Sequence, residues 1–199
     1  MEILKLFQYH QKLRFSDIEK ALKVRSNKLA YHIKNLTKRG FLIKEGSHYS
    51  LSENTENIIP YLSDKKAMLP VILIYIGNES ECFLYNRKKR PFKDKLSLPG
   101  GRPLIGESLN DSIKRMMQEK FNINAKLKFI HSISIENLKK NNKIIQTDII
   151  LFVSAITKDK IQLTNIERAK SKIITSDYLL IKNDLNKKIN IKTINTTKI

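Results

Sequence analysis

From Met1 to Leu62 the apolar positions recur at helical spacing and then switch to alternation. Ile3, Leu4, Leu6 and Phe7 share one helical face. Ser16, with Glu19 three residues on, reads as the capped start of a second short helix carrying Ile18, Ala21 and Leu22. Ser26 reads as the cap of a third helix with Leu29, Ile33 and Leu36 on one side, and Gly40 stands where a left-handed stop is wanted. Phe41, Leu42 and Ile43, a polar turn from Lys44 to Ser47 containing Gly46, and then Tyr49 and Leu51 predict a hairpin. Thr55 to Leu62 predicts a closing helix, and the polar residues after it a linker, 63–69. From there the period changes: Val71 to Ile76 and Cys82 to Tyr85 read as buried strands, and Pro91 to Arg102 as a turn-rich loop. Ser108, Leu109, Ile113, Met116, Met117 and Phe121 keep helical spacing up to Asn122. Lys126 to Ile135 and Lys143 to Ile156 read as long strands around a polar turn, Asn137 to Asn142. The expected organisation is a first domain over 1–62, a second over 70–183 and a loosely ordered tail over 184–199.

Composition narrows the partners. The 199 residues carry 38 Lys and Arg against 19 Asp and Glu, a formal charge of +19 that attracts polyanions. The single cysteine, Cys82, excludes an internal disulfide and any cysteine-rich zinc site, and its apolar neighbours Phe83 and Leu84 mark it as a core thiol. No apolar run is long enough to span a bilayer, and Met1 to Tyr9 has no signal-peptide pattern, so a cytoplasmic protein without a membrane partner is expected.

Arg25 to Arg39 holds five cations, Arg25, Lys28, Lys34, Lys38 and Arg39, and no acidic residue. Its apolar stripe holds down only one face, which leaves Asn27, Lys28, Tyr31, His32 and Asn35, types that hydrogen-bond base edges and phosphates, for solvent or a partner. Three helices and a hairpin make a winged helix. The run from Ser26 to Gly40, with the Phe41-to-Lys44 strand and the Tyr49-to-Ser52 return, resembles the recognition helix and wing of ArsR-like winged-helix regulators. That resemblance implies double-stranded DNA as partner, a homodimer, and Ser26, Asn27, Lys28, Tyr31, His32, Lys34, Asn35 and Lys38 as DNA contacts. Some such domains serve only protein contacts. With no Cys or Glu cluster beside it, His32 reads as a DNA or packing contact, and His10 and His48 have weaker claims.

The second half carries Leu98-Pro99-Gly100-Gly101, then Glu107 after five residues, Arg115 after seven more, then Met117, Glu119 and Ile123. This spacing resembles the Nudix box, and the run Phe83 to Arg87 and Leu96 to Gly101 resembles the strand and loop that enter it. The fold class implied is α+β, an N-terminal winged helix followed by a Nudix-type α/β/α sandwich with a mixed sheet. Nudix hydrolysis needs several helix carboxylates to hold Mg²⁺ against a pyrophosphate. Those positions fall here on Met116, Glu119 and Lys120, so the box is degenerate and the expectation is a domain that is no efficient enzyme. Glu107, Arg115 and Glu119 remain as catalytic remnants, and Glu119 is the metal candidate, alone or with Glu107 or Asp111. Asn122 replaces the family's glycine and tolerates a left-handed conformation. The anion-cradling residues survive: Arg87, Gly100, Gly101 and Arg102, the basic run through Arg90 with Lys93 and Lys95, and Lys120 as a stand-in for a metal facing phosphate. The expected function is a DNA-binding regulator that senses a nucleotide-derived small molecule and requires no cofactor. The alternative is a Mg²⁺-dependent Nudix pyrophosphohydrolase acting on a nucleoside-diphosphate-linked substrate, with the winged helix as a tether or interaction module.

Overall fold

The helical stripes of the first half close over a small sheet. The computed structural model describes residues 2–56 and 67–189, and the chain divides into two units, Met1–Ala67 and Met68–Ile199. In the first, α1 (Glu2–Leu6), β1 (Leu13–Arg14), α2 (Phe15–Leu22), α3 (Ser26–Lys38), β2 (Leu42–Glu45), β3 (His48–Leu51) and α4 (Glu53–Glu56) follow in order. The sheet runs β1-β3-β2, antiparallel throughout. Ile3, Leu4, Phe7, Ile18, Leu29, Ile33, Leu42 and Leu51 form one core, so α1, α2, α3 and the hairpin contribute to it. Gly40, at φ +75°, ends α3: its N–H reaches Thr37 O at 3.0 Å and the Phe41 N–H reaches Leu36 O at 2.9 Å.

Two caps differ from expectation. Helix α2 begins at Phe15, and the Asp17 carboxylate accepts the Arg14 N–H at 2.9 Å, so Ser16 lies inside the first turn. Ser26 is the first residue of α3 and its hydroxyl donates to Glu19, a link between α2 and α3 in place of a cap. Strand β1 has two residues, too few to show a period. Helix α4 starts ahead of Thr55, and the remainder of the expected closing helix, like 63–66 of the linker, lies outside the described residues.

The second unit contains β4 (Leu69–Tyr75), β5 (Glu81–Cys82), β6 (Tyr85–Asn86), β7 (Leu96–Ser97), β8 (Gly100–Gly101), α5 (Leu109–Phe121), β9 (Ala125–Lys140), β10 (Lys143–Thr157), β11 (Thr164–Asn165), α6 (Ile166–Ala169) and α7 (Thr175–Asp184). The main sheet is ordered β8-β4-β10-β9; β4 and β10 are parallel, from Leu69 opposite Asp148 to Tyr75 opposite Ser154, and the other pairs are antiparallel. The unbroken apolar run of β4 is explained by burial on both faces. Ile72, Ile74 and Ile76 pack with Ile113, Met116 and Met117 of α5, while Leu73 and Tyr75 pack with Phe152, Ile173, Leu180 and Ile181 on the α6 and α7 side. The result is a mixed sheet between helices.

Four expectations are corrected here. Leu69, counted in the linker, already pairs in β4. Cys82 to Tyr85 is not one strand: Cys82 pairs with Thr164, whereas Tyr85 pairs with Ser97, because the chain changes partners between them. The turn between the long strands is only Asn141 and Asn142, at φ +49° and +59°, and the polar residues around it continue the ladder as far as Lys140 opposite Lys143. The tail is ordered at its start: the Ile189 N–H donates to Ile130 O at 2.9 Å, and His131 Nδ1 donates to Lys187 O at 2.8 Å. Residues 190–199 lie outside the described residues. No helix among the described residues is long and apolar enough to cross a membrane.

Strand β8 approaches β4 so closely that a Cβ on Gly100 would overlap the Ile72 carbonyl oxygen, and Leu73 Cδ2 would lie 3.1 Å from it. At Gly101 the nearest atom to an added Cβ is the end of the Lys120 side chain, at 3.1 Å. Gly100→Ala is therefore expected to destabilise the protein by about 1–3 kcal/mol or more, and Gly101→Ala by less, since a lysine tip can move. Urea unfolding of the two variants checks this; equal losses would refute the close-approach account.

Candidate functional site

The residues of the box run from the loop before α5 to its last turn. Ser108 caps the helix, its Oγ accepting the Asp111 N–H at 3.1 Å, and Asn122 ends it at φ +56° with its N–H on Gln118 O, the left-handed stop the sequence anticipates. One turn inside, Arg115 reaches back to Glu107: Nε donates to Oε1 at 2.5 Å and Nη2 to Oε2 at 3.0 Å, a two-pronged pair. Nη2 also donates to the Arg102 carbonyl at 3.1 Å. Glu107 further accepts from Ser112 Oγ at 2.7 Å and the Leu104 N–H at 3.1 Å. These donors, the Arg115 guanidinium first, hold the Glu107 carboxyl down at about 2. Glu107 and Arg115 thus brace the 102–107 loop against the helix.

The three positions that would carry carboxylates do not fit a divalent cation. Met116 is buried in the α5 core, and its sulfur would lie 3.5 Å from a Cβ at Gly101. Glu119 leans toward Arg115 Nη1 at 3.4 Å, an ion pair with its own helix. Lys120 donates through Nζ to the Gly100 carbonyl oxygen, placing a positive charge over the glycine pair. Among the described residues no three His, Cys, Asp or Glu side chains gather into a set that could hold a metal ion. A hard cation here would meet a thioether, an ammonium and a carboxylate paired with the Arg115 guanidinium.

Cations, by contrast, converge. Partial burial, Arg87 and Arg115 push the Lys120 ammonium below its ordinary value, with Lys89 adding to the effect and Glu119 opposing it. Of the anion-cradling residues read from the sequence, Gly100, Gly101 and Lys120 meet, and Arg87 acts on Lys120 electrostatically. Lys89, a member of the basic run through Arg90, acts on Lys120 in the same way. Arg102 takes part only through its carbonyl, and its side chain is exposed. The glycine pair makes no tight turn: it is a strand opposite Ile72 and Leu73, and glycine is required at Gly100, where the two backbones nearly touch.

Asp177, in the first turn of α7, is a residue the sequence reading passes over. Its Oδ2 accepts the Leu98 N–H at 2.8 Å and Ser97 Oγ at 2.9 Å, so a buried carboxylate pins the strand that leads into Gly100. Burial pushes its carboxyl up to about 6 against those two donors. Beside it lies a cavity of about 630 Å³, lined by Phe92, Lys95, Glu136, Arg168, Ile174 and Tyr178 among others, on the side of the sheet away from α5.

In the first unit, α3 presents Asn27, Lys28, Tyr31, His32, Lys34 and Lys38 to solvent, with Asn35 half-buried. Ser26 is exposed, but its hydroxyl is engaged by Glu19. Tyr31 and His32 meet edge to face at 5.6 Å. His48 accepts from Arg14 Nε at 3.2 Å across the β1–β3 pair, a structural contact.

No protein-family model and no curated protein matches the chain. Solved structures do. A Nudix hydrolase from Nitrosomonas europaea is similar at a TM-score of 0.51 and 14% identity, over 60% of this chain and 88% of that one. The Nudix domain of Shewanella oneidensis NrtR complexed with ADP ribose is similar at 0.46 and 13%, over 64% and 94%, and a MutT protein from Bacillus halodurans at 0.45 and 15%, over 61% and 84%. At such identity the first of these establishes the fold alone: the mixed sheet flanked by helices is the Nudix fold.

Because the folded protein holds the Asp177 proton more tightly than the unfolded chain, stability falls as pH rises from 3.8 to about 6 and is level above that. An asparagine can accept the same two donors without a charge. Asp177→Asn is expected to match wild type near pH 3.8 and to exceed it increasingly up to about pH 6, by on the order of 3 kcal/mol at most. Thermal unfolding across that range is the measurement, and a gap that does not change with pH would refute the burial account.

Proposed function

We propose that this chain is a DNA-binding transcription regulator whose Nudix domain binds a nucleotide-derived metabolite and does not turn it over efficiently. The observation that carries the metabolite half is the Lys120 ammonium on the Gly100 carbonyl, at a helix position where the hydrolytic motif calls for a carboxylate. A fold built around a pyrophosphate keeps its anion-facing cations and has lost its metal ligands, so it is suited to hold a diphosphate and not to activate water against it. Mg²⁺ is not needed for this role.

Support for the DNA half comes from the first unit. Its helices and the β1-β3-β2 sheet support reading it as a winged helix, with α3 as the proposed recognition helix and the β2–β3 hairpin as the proposed wing. Exposed Asn27, Lys28, Tyr31, His32, Lys34 and Lys38 on α3 supply base-edge and phosphate partners, and no acidic side chain interrupts them. Residues 1–62 are the DNA-binding part of this reading, 70–183 the metabolite-binding part. A two-fold homodimer on paired half-sites is the assembly it implies.

Fluorescence anisotropy with double-stranded DNA at several salt concentrations tests the proposal. If Lys28, Lys34, Lys38 and Arg39 each neutralise one phosphate, log affinity against log salt falls with a slope of about −4, and Lys28→Glu with Lys34→Glu abolishes binding. ADP-ribose at saturation is expected to change that affinity, by about 5- to 150-fold if the coupling is of ordinary size. A folded protein without salt-dependent DNA binding overturns the regulator reading. Mg²⁺-dependent hydrolysis of ADP-ribose or NADH at about 1 per second or faster overturns the sensor reading in favour of an enzyme.

A further inference from the structure

A divalent cation in a pyrophosphate site does two things: it neutralises charge and it fixes the phosphate oxygens in place. Here both tasks already have an occupant. Lys120 is anchored at one point, its Nζ donating to the Gly100 carbonyl oxygen, which leaves the remaining N–H groups of the ammonium free to donate outward. Arg87 and Lys89 lie close enough to act electrostatically on it. Among the described residues none of these three forms an ion pair with a carboxylate, whereas Arg115 is fully engaged by Glu107 and Glu119. Three cations against the one carboxylate, Glu119, that acts on Lys120 leave an excess of positive charge that an anion would relieve, and Arg87, whose Nε donates to the Lys89 carbonyl oxygen at 3.3 Å, keeps its two terminal nitrogens for two oxygens at once. A metal-bound diphosphate would bring its own positive charge against the same cations.

We infer that Lys120 serves as a built-in cation, so that this site takes the diphosphate group of its ligand free of Mg²⁺, held by Lys120, Arg87 and Lys89. The inference rests on the metabolite-binding reading above and adds to it the ionic form of the ligand and the residue that replaces the metal.

Inorganic pyrophosphate is the probe, titrated by calorimetry into the full-length protein in EDTA. Binding is expected without any metal, weakened at least about tenfold by Lys120→Met, the change carried by one charge-assisted hydrogen bond, and kept within a few-fold by Lys120→Arg, which retains the charge. Circular dichroism confirms that each variant is folded; should Lys120→Met fail to fold, Arg87→Met is read in its place and is expected to weaken binding likewise. Proton relaxation with Mn²⁺ and pyrophosphate together is expected to show no protein-bound metal, because the pyrophosphate site has no ligands for it. Pyrophosphate that binds only with Mn²⁺ or Mg²⁺, or that binds Lys120→Met as tightly as wild type, overturns the inference while leaving a ligand-binding domain in place. Absence of pyrophosphate binding under every condition overturns both.

Discussion

The backbone around Gly100 is held from two sides. Asp177 of α7 accepts the Leu98 N–H, and Lys120 of α5 donates to the Gly100 carbonyl two residues on, while the strand itself lies against β4 closer than any side chain would allow. Helices on opposite faces of the sheet therefore share one short stretch of chain as their common attachment. The two cores fed by alternate residues of β4 stay in register with each other through this stretch, and the cation over the glycine pair owes its position to it.

A second fastening, chemically separate, sets the loop before α5. Glu107 accepts four hydrogen bonds, two of them from the planar fork of Arg115, and one nitrogen of that fork also reaches the Arg102 carbonyl. Three of those bonds fall on Oε2 and one on Oε1, so the carboxylate is spent chiefly on fastening the loop to the helix. Of the remaining box positions one is packed into the core, one is paired along its own helix and one carries the wrong charge for a metal.

Much of this was legible in the residues. Apolar spacing gives α3 and α5, and Gly40 and Asn122 mark both helix ends in the left-handed region where the structure has them. Glu107 and Arg115 are picked out by the spacing of the box, though their pairing with each other shows only in the structure. What escaped reading shares one physical cause, dependence on partners distant in the chain. Strands of two residues such as β1 and β11 have no period of their own and exist only because β3 and β5 lie beside them. Asp177 looks like a routine helix-start acid, and its role appears only with Leu98 packed against it, 79 residues away. Ser16 and Ser26 fit a cap by local rule, yet Asp17 and Glu19 compete for the same backbone and hydroxyl groups and win. The start of the tail, low in hydropathy pattern, is ordered by Ile130 and His131 of β9.

The contact between Lys120 and Gly100 also bears on the history open to such a chain. A glutamate at 120 would set a carboxylate against a carbonyl oxygen that has lost its donor, two acceptors facing each other with nothing between them. A glutamate at 116 would put a charge into the core beside Met117 and Ile113. Each step toward a metal site, taken alone, is thus a step downhill in fitness for folding, and only several changes at once would cross the gap. The lysine thus ties the charge at this position to the integrity of the strand: what faces the glycine pair cannot be changed without also unfastening β8 from α5.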